Sequence, residues 1–226
     1  MFLNPCQGDL RGDGNQMADD PGASYWNWLA PRYARMTLRD EAAYARSLAL
    51  CAPHVYGRDV LELGAGTGTT ALRLAPQSRS YLATDFAARM INIASERLAV
   101  DPVPQLRLQQ ADAAGLVGWG GRFDTVLAFN LLHLLPDLDG TLRVFHQMLK
   151  PGGVFISKTV CLRDAPPLIR LALPVLRLVR IAPWMRALSE ADLRASIVSA
   201  GFEICNLEYH SSGGRDFRPV IVAQRN

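Results

Sequence analysis

The sequence feature that most constrains the fold is a glycine-rich turn that follows a short, mostly apolar run. Val60 to Leu63 leads directly into three glycines at alternate positions, Gly64, Gly66 and Gly68. Such a turn between a strand and a helix lets a ligand approach the backbone, and the first amides of the helix point towards that ligand. The sequence therefore predicts an α/β fold with a ligand at the carboxyl end of this strand.

The spacing of the glycines excludes two common phosphate sites. A dinucleotide fingerprint that starts at Gly64 has its third glycine at position 69, where this chain has Thr69. A P-loop continues from its last glycine into lysine and then serine or threonine, whereas Gly68 is followed by Thr69 and Thr70. The turn therefore belongs to neither kind of site.

Apolar strands alternate with helices along the chain after residue 58. The predicted strands are 59–63, 80–85, 105–110, 123–129, 154–160, 202–209 and 218–224. Strands that are apolar on both faces favour a parallel sheet covered by helices on both sides, and the short loop 211–214 suits an antiparallel final pair. We therefore predict a doubly wound, mostly parallel seven-stranded sheet whose last strand is antiparallel.

The segment before the first strand is predicted to form a tail and a helical cap. Residues 1–24 are polar and rich in glycine, which is typical of a flexible tail, and 25–226 are predicted to be a single domain. Helices over 25–52 form the N-terminal cap, with a stop or kink near Pro31 in the first. In the second, Thr37 is the predicted N-cap, and the predicted buried face is Leu38, Ala42, Ala45 and Ala49.

Charge and cysteine content narrow the class of protein. The net charge is +3, too small an excess to indicate a nucleic-acid partner. Cys6, Cys51, Cys161 and Cys205 lack the short spacing of a zinc or redox site, so we predict no metal and reduced thiols in a cytoplasmic protein. The first ten residues also lack the basic and apolar stretches of a secretory leader.

The turn, read as Glu62-x-Gly64-x-Gly66-x-Gly68, resembles the first motif of class I S-adenosylmethionine-dependent methyltransferases. Three later stretches resemble that family's motifs in the same order: 85–91, 110–113, and 123–127 followed by Asn130, His133 and 149–153. The first of these, which resembles the family's second motif, departs in having Ala87 where serine is common. The resemblance implies the Rossmann-like methyltransferase fold, S-adenosylmethionine as cofactor, and an enzyme similar to the ubiquinone and menaquinone biosynthesis methyltransferases that act on small or lipophilic molecules.

The resemblance also assigns roles to residues. The turn would hold the methionine part of the cofactor, Asp85 the ribose hydroxyls and Asp112 the adenine amino group, although a lone aspartate at such a position is also a common helix N-cap. Glu62 accepts bonds from turn amides or from the cofactor's amino group. The full set of expected cofactor-binding residues is Tyr33, Glu62, Gly64, Ala65, Gly66, Gly68, Asp85, Phe86, Met90, Asp112, Ala113 and Asn130. Of these, Phe86, Met90 and Ala113 would lie against the adenine.

His133 is the candidate general base. It follows the fourth strand at the edge where ligands gather in parallel sheets, and imidazole titrates near neutrality. A base is needed only if the methyl acceptor must lose a proton, and the alternative is a histidine that packs or points outward. A non-catalytic, cofactor-binding scaffold with the same fold is the alternative function.

Two segments are expected to cover a small-molecule acceptor, the cap 25–52 and an insert at 161–188. Trp26, Trp28 and Tyr33 either close over the cofactor or acceptor, or form an aromatic core that anchors the cap. The apolar and basic stretch 168–186 either makes a weak contact with an anionic membrane surface or packs on the domain with its arginines in water. The sequence leaves the oligomeric state open.

Overall fold

Strands and helices alternate along the residues that the structure, a computed structural model, describes: 21–37, 40–116, 118–178, 183–213 and 216–226. The strands are β1 Asp59–Leu63, β2 Ser80–Asp85, β3 Leu106–Gln110, β4 Phe123–Phe129, β5 Leu149–Lys158, β6 Phe202–Glu208 and β7 Val220–Arg225. The α-helices are α1 Pro21–Ala34, α2 Glu41–Val55, α3 Thr69–Leu74, α4 Ala88–Val100, α5 Leu138–Met148, α6 Pro167–Leu178 and α7 Glu190–Ser199. This order confirms the predicted alternation.

The seven strands form one sheet in the order β3-β2-β1-β4-β5-β7-β6. The first five strands are parallel, and β7 runs antiparallel to both β5 and β6, between which it lies. The predicted topology is therefore confirmed. The strand order reverses between β1 and β4, and the carboxyl ends of strands at such a reversal form the crevice where ligands bind in this kind of sheet.

Each face of the sheet carries its own core. Val60 and Tyr81 pack with Cys51 and Val55 of α2 on one face, while Leu61 and Leu82 belong to a cluster with α5 and α7 on the other. Because successive side chains of a strand point to opposite faces, an apolar strand such as β1 needs helices on both sides. The doubly wound arrangement follows from this pattern.

The predicted start and buried face of α2 are wrong. The N-cap is Asp40, whose Oδ1 accepts a hydrogen bond of 2.8 Å from the Ala43 amide, and the helix begins at Glu41 rather than just after Thr37. The buried face is Ala43, Ser47, Cys51 and Val55, whereas Ala42, Ala45 and Ala49 are exposed. The sheet therefore meets a different side of the helix from the one that the alanine spacing predicted, and Leu38 lies outside the described residues.

Three other boundaries differ from the sequence-based ones. Helix α1 includes residues 21–24 and continues through Pro31 to Ala34, while residues 1–20 lie outside the described ranges. Strand β5 begins at Leu149, so residues 150–153 are not the end of α5; the register of β5 against β4 shifts there, and Gly152 takes a φ of 73°. The connection from β6 to β7 spans 209–219, and no helix in the described ranges is both long and apolar enough to cross a membrane.

Candidate functional site

The glycine turn connects β1 to α3, and its three glycines all have positive φ, between 55° and 75°. Two of them are required by packing: a Cβ on Gly64 would lie 2.9 Å from Leu131 Cδ1, and one on Gly68 would lie 3.0 Å from Ala94 Cβ. At Gly66, by contrast, the neighbour within 4 Å of such a Cβ is the Tyr33 ring, at 3.8 Å. The backbone around Gly66 is therefore the part of the turn that a ligand can approach.

Asp85, at the end of β2, fixes the turn from the side. Its Oδ2 accepts a 2.9 Å hydrogen bond from the Gly66 amide, and its Oδ1 accepts one of the same length from the Ala87 amide. Burial raises the pKa of this carboxyl, although the two amide bonds act in the opposite direction. Since each carboxylate oxygen has two lone pairs, Asp85 retains acceptor capacity for the hydroxyl groups of a ligand.

Glu62 lies in the middle of the site, almost fully buried. Its Oε2 accepts a hydrogen bond of 2.8 Å from the Tyr81 hydroxyl. Burial raises the pKa of Glu62 to about 8; the bond from Tyr81 opposes the rise, and the nearby Asp85 charge adds to it. In the described part of the chain neither Glu62 nor Asp85 takes part in a salt bridge, so this pair of acids suits a positively charged ligand.

Helix α1 lies over this region and is docked on α4. Trp26 packs with Met90, Ala30 and Ala87, and the Asn27 side chain accepts a hydrogen bond from the Arg89 amide. Tyr33 meets the turn at Gly66; burial raises the pKa of its hydroxyl, and Asp85 and Glu62 act in the same direction. The aromatic residues of the cap thus divide between the two roles left open by the sequence: Trp26 anchors the cap, Tyr33 faces the turn, and Trp28 is 64% exposed.

Arg97 is a site residue that the sequence reasoning missed. Its guanidinium donates to the Thr67 carbonyl at 3.0 Å, to the Thr67 and Thr69 hydroxyls at 2.9 and 3.1 Å, and to the Ala34 carbonyl at 2.9 Å. One side chain of α4 therefore joins the turn to the end of α1. The only signal in the sequence is a cation in the last turn of a helix, which is common for electrostatic reasons alone.

The residues predicted to bind the adenine lie on the β2–β3 side of the turn. Phe86 is half-buried, and Met90 is covered by α1, with 2% of its surface exposed. Asp112 Oδ1 accepts a 2.7 Å hydrogen bond from the Gly115 amide, so Asp112 holds a short helical turn at residues 114–116. Ala113 lies next to it, half-buried. The binding roles of these residues stay predictions.

Asn130 and His133 follow β4 at the same edge. Asn130 has a left-handed φ of 54°, a conformation that asparagine tolerates better than most residues, and its amide donates to the Lys158 carbonyl at 2.7 Å. His133 is 5% exposed, burial lowers its pKa to about 4, and its Nδ1 has no hydrogen-bond partner among the described residues. The imidazole is therefore neutral near pH 7, as a base must be, and its catalytic role stays a prediction.

The amino-acid sequence matches known proteins over the same region that builds this site. Residues 61–155 match a family described as a methyltransferase domain. A 105-residue stretch is 39% identical to chondramide synthase from Chondromyces crocatus and covers 42% of this chain and 3% of that protein. Another, of 117 residues, is 35% identical to demethylmenaquinone methyltransferase from Clavibacter sepedonicus and covers 50% of this chain and 44% of that one. The chain thus spans less than half the length of either relative.

The fold is also similar to solved structures. An S-adenosylmethionine-dependent methyltransferase from Mesorhizobium loti matches with a TM-score of 0.68 at 20% identity. The match covers 81% of this chain and 98% of that one, so the likeness extends well beyond the turn. At this level of identity it is a likeness of fold.

Proposed function

We propose that the chain is a class I S-adenosylmethionine-dependent methyltransferase and that it methylates a small or lipophilic molecule by in-line transfer. S-adenosylmethionine supplies a methyl group activated by a positively charged sulfur. The two relatives named above, a demethylmenaquinone methyltransferase and a chondramide synthase, support an acceptor of the small-molecule kind.

The observation that carries this proposal is the meeting of an open glycine backbone with two buried acids. The backbone around Gly66 would hold the methionine part of the cofactor, and Asp85 would accept bonds from ribose hydroxyls while keeping the Gly66 amide in place. Glu62, which is buried without a cation, would meet the positive charge of the amino group. The residues present therefore fit this cofactor.

The protein's own contribution to such a reaction is alignment and exclusion of water. Methyl transfer from a sulfonium leaves a neutral thioether, so the transfer step requires little acid or base catalysis by the protein. Tyr33 and the rest of α1 lie over the turn and would shield it from solvent, and Arg97 holds α1 there. A proton acceptor is required only on the side of the methyl acceptor.

Two measurements test the proposal in sequence. Titration calorimetry with S-adenosylhomocysteine should show saturable binding to the full chain, whereas adenosine alone should bind more weakly because it lacks the part that meets Gly66 and Glu62. Release of S-adenosylhomocysteine is then measured with a panel of phenols, catechols and β-dicarbonyl compounds. Absence of binding would sink the proposal, and binding without transfer to any acceptor would favour the scaffold function.

We further propose that α6 gives the protein access to an anionic lipid surface. Leu168 and Leu171 are 79% and 76% exposed, and Trp184 is 56% exposed. Between residues 165 and 188 the sequence has four arginines and no acidic residue, so every charged residue of this stretch is positive. Vesicles with phosphatidylglycerol should sediment the protein and vesicles of phosphatidylcholine should not. Leu168→Ser with Leu171→Ser should abolish sedimentation, while Val198→Ser, at an exposed site on α7, should leave it unchanged.

We also propose a cytoplasmic location. Among the described residues Cys51 and Cys161 are buried free thiols, and burial raises the pKa of each to about 12, which keeps them protonated and unreactive. Such thiols suit a reducing compartment. Fractionation of the source cells with an antibody to the protein tests the location.

A further inference from the structure

A continuous chain of hydrogen bonds runs from Lys158 to the surface. Lys158 Nζ donates to Ser47 Oγ at 3.0 Å, Ser47 Oγ lies 2.8 Å from His210 Nδ1, and His210 Nε2 lies 2.8 Å from Glu208 Oε2. The two inner members are almost fully buried: Ser47 is 1% exposed and His210 is 3% exposed. The Glu208 side chain is 43% exposed, so the chain ends in solvent.

The inner end of this series of hydrogen bonds lies at the edge of the sheet that is formed by the carboxyl ends of the parallel strands, where ligands bind. Lys158 is the last residue of β5, and its carbonyl is bonded to the amide of Asn130, the residue after β4. The next residue, Leu131, packs on Gly64 of the turn. Lys158 therefore belongs to the row of strand ends that holds the proposed cofactor, two strands away from the turn.

Helix α2 connects the same two places. Its Tyr44 hydroxyl lies 3.1 Å from Thr70 Oγ1 in the first turn of α3, directly after the glycine turn. Three residues later, Ser47 meets Lys158. The first turns of α2 therefore lie beside the carboxyl ends of β1 and β5, and the Lys158 amino group faces them at this edge of the sheet.

A lysine at position 158 is unusual in this protein, whose basic residues are almost all arginines. Only two of its 24 lysine and arginine residues are lysines, Lys150 and Lys158. Lys150 lies between the carboxylates of Asp59 and Asp124, whereas no carboxylate of the described residues lies within 4.0 Å of Lys158 Nζ. A lysine can lose its proton near neutral pH when it is buried, and an arginine cannot.

The surroundings of Lys158 favour its neutral form. Burial lowers its pKa, and Arg218 and Arg46 act in the same direction, while Asp216 and Asp40 oppose them. These groups come from α2 and from the loop between β6 and β7. Cys51 of α2 also interacts with Lys158, and His210 and Glu208 face it through the hydrogen-bond chain.

We propose that Lys158 is the proton acceptor for the molecule that is methylated, and that Ser47, His210 and Glu208 carry this proton to solvent. The inference rests on the proposed function. The acceptor gives its proton to the free electron pair of Lys158 Nζ and gains the methyl group, and the electron pair of the broken carbon–sulfur bond stays on the departing sulfur. One proton is released for each transfer, which balances the loss of the positive charge on sulfur.

The return of Lys158 to its neutral form follows the same bonds. The ammonium passes a proton to Ser47 Oγ while the hydroxyl proton moves to His210 Nδ1, and the proton on Nε2 moves to Glu208. Ser47 also lies 2.9 Å from the Ala43 carbonyl, so its single hydroxyl proton turns between that oxygen and His210. Glu208 then exchanges with water.

The first test needs no acceptor. The full chain is treated with a trace of acetic anhydride between pH 6 and pH 11, and the labelled fractions of Lys158 and Lys150 are measured by mass spectrometry, with Lys150 as the reference in the same sample. We expect the labelling of Lys158 to titrate below the ordinary lysine value of 10.5. A midpoint at or above that value overturns the proposal.

The second test uses whichever panel acceptor releases S-adenosylhomocysteine. Lys158→Arg places a permanently protonated group at this position that cannot accept the proton, and we expect kcat to fall about 100-fold while the S-adenosylhomocysteine Kd stays within about twofold. Glu208→Gln should lower kcat about 5-fold and increase its solvent deuterium isotope effect, because proton exit becomes slower. Glu203→Gln, which removes an exposed charge from the same strand, should leave both unchanged.

The outcomes separate this inference from the proposed function. Failure to bind S-adenosylhomocysteine would contradict the proposed function itself. Normal binding with full turnover in Lys158→Arg overturns only the role of Lys158, as does a pH profile whose acidic limb, the fall in rate when the base is protonated, is lost in His133→Asn and kept in Lys158→Arg. If no acceptor in the panel is methylated, the pH midpoint of Lys158 labelling in the first test decides whether the inference stands.

Discussion

At the amino ends of the strands, Asp59 and Asp124 lie against Arg79 and Lys150, whereas at the carboxyl ends Glu62 and Asp85 are buried without a salt bridge among the described residues. Burial acts to raise the pKa of Asp59, but bonds from Arg79, Ser80 and Lys150 outweigh it and lower the pKa to about 2. Glu62 accepts a bond from the Tyr81 hydroxyl but has no cationic partner among the described residues, and its pKa rises to about 8.

Acidic side chains thus have cationic partners at the amino ends of the strands, and those at the carboxyl ends have none among the described residues. Paired acids at the amino ends hold β1, β2, β4 and β5 together, while the unpaired acids at the carboxyl ends keep a preference for positive charge that a ligand can satisfy. The first end is arranged for stability and the second for binding. Four predictions test this division.

The largest expected effect is on cofactor binding. Asp85→Asn loses one amide bond to the turn and an acceptor for the ribose, so the Kd for S-adenosylhomocysteine should rise about 100-fold, or about 2.7 kcal/mol. Titration calorimetry measures it. Asp124→Asn, at the opposite end of the sheet, is the matched control and should leave the Kd within about twofold. Equal losses of affinity in both variants would show that the two ends do not differ.

The second prediction concerns stability at the amino ends. Asp59→Asn should lower the free energy of unfolding by about 1–2 kcal/mol, a value discounted for the exposure of Arg79, and lower Tm by about 2–4 °C per kcal/mol. Thermal unfolding followed by circular dichroism checks it. Binding of S-adenosylhomocysteine should be unaffected, and a weakened Kd would argue against the division.

The third prediction is a difference in pH dependence. Because the pKa of Glu62 is raised on folding, the folded state holds a proton that the unfolded state has lost, so stability should fall between about pH 5 and pH 8, by at most about 1.4 kcal/mol per pH unit. Urea titrations should show this slope in the difference between the wild type and Glu62→Gln, since the opposing contribution of the buried His133, whose pKa is lowered to about 4, is common to both and cancels; Asp59→Asn should show the same slope relative to its own Glu62→Gln variant. For Asp59, whose pKa is lowered, the contribution is instead lost between about pH 4 and pH 2.

The smallest effect is proton release on binding. If a cationic ligand favours the charged form of Glu62, binding near pH 7 releases up to one proton, and the apparent binding enthalpy differs between phosphate and Tris buffers. Glu62→Gln should remove this difference. An unchanged buffer dependence in that variant would mean that the proton comes from another group.

The sequence was most informative where neighbours in the chain are also neighbours in space. The alternation of strands and helices, the glycine turn and the position of Asp85 all follow from local patterns between residues 58 and 160. The predicted start of α2 was wrong because its N-cap is Asp40, which also binds Ser212 from a distant loop. A periodic alanine pattern alone cannot show where such a contact starts the helix.

Contacts between residues that are far apart in the sequence leave no local pattern from which they could be predicted. Ser47 meets His210 over 163 residues, and Arg97 reaches back 63 residues to Ala34. The one available signal for the first cluster was compositional: a chain that uses arginine almost everywhere has lysine at the end of β5. His133 was chosen for its position, and only the structure shows how deeply it is buried.

The place of β7 has a consequence for the order in which the molecule is made. Strand β6 meets the sheet through β7, so Glu208 and His210 reach Ser47 only after residues 220–225 have left the ribosome. Strands β1 to β5 have their partners by residue 158, and domains fold progressively during synthesis. A nascent chain of about that length should therefore already hold its glycine turn, whereas the route for protons is completed last.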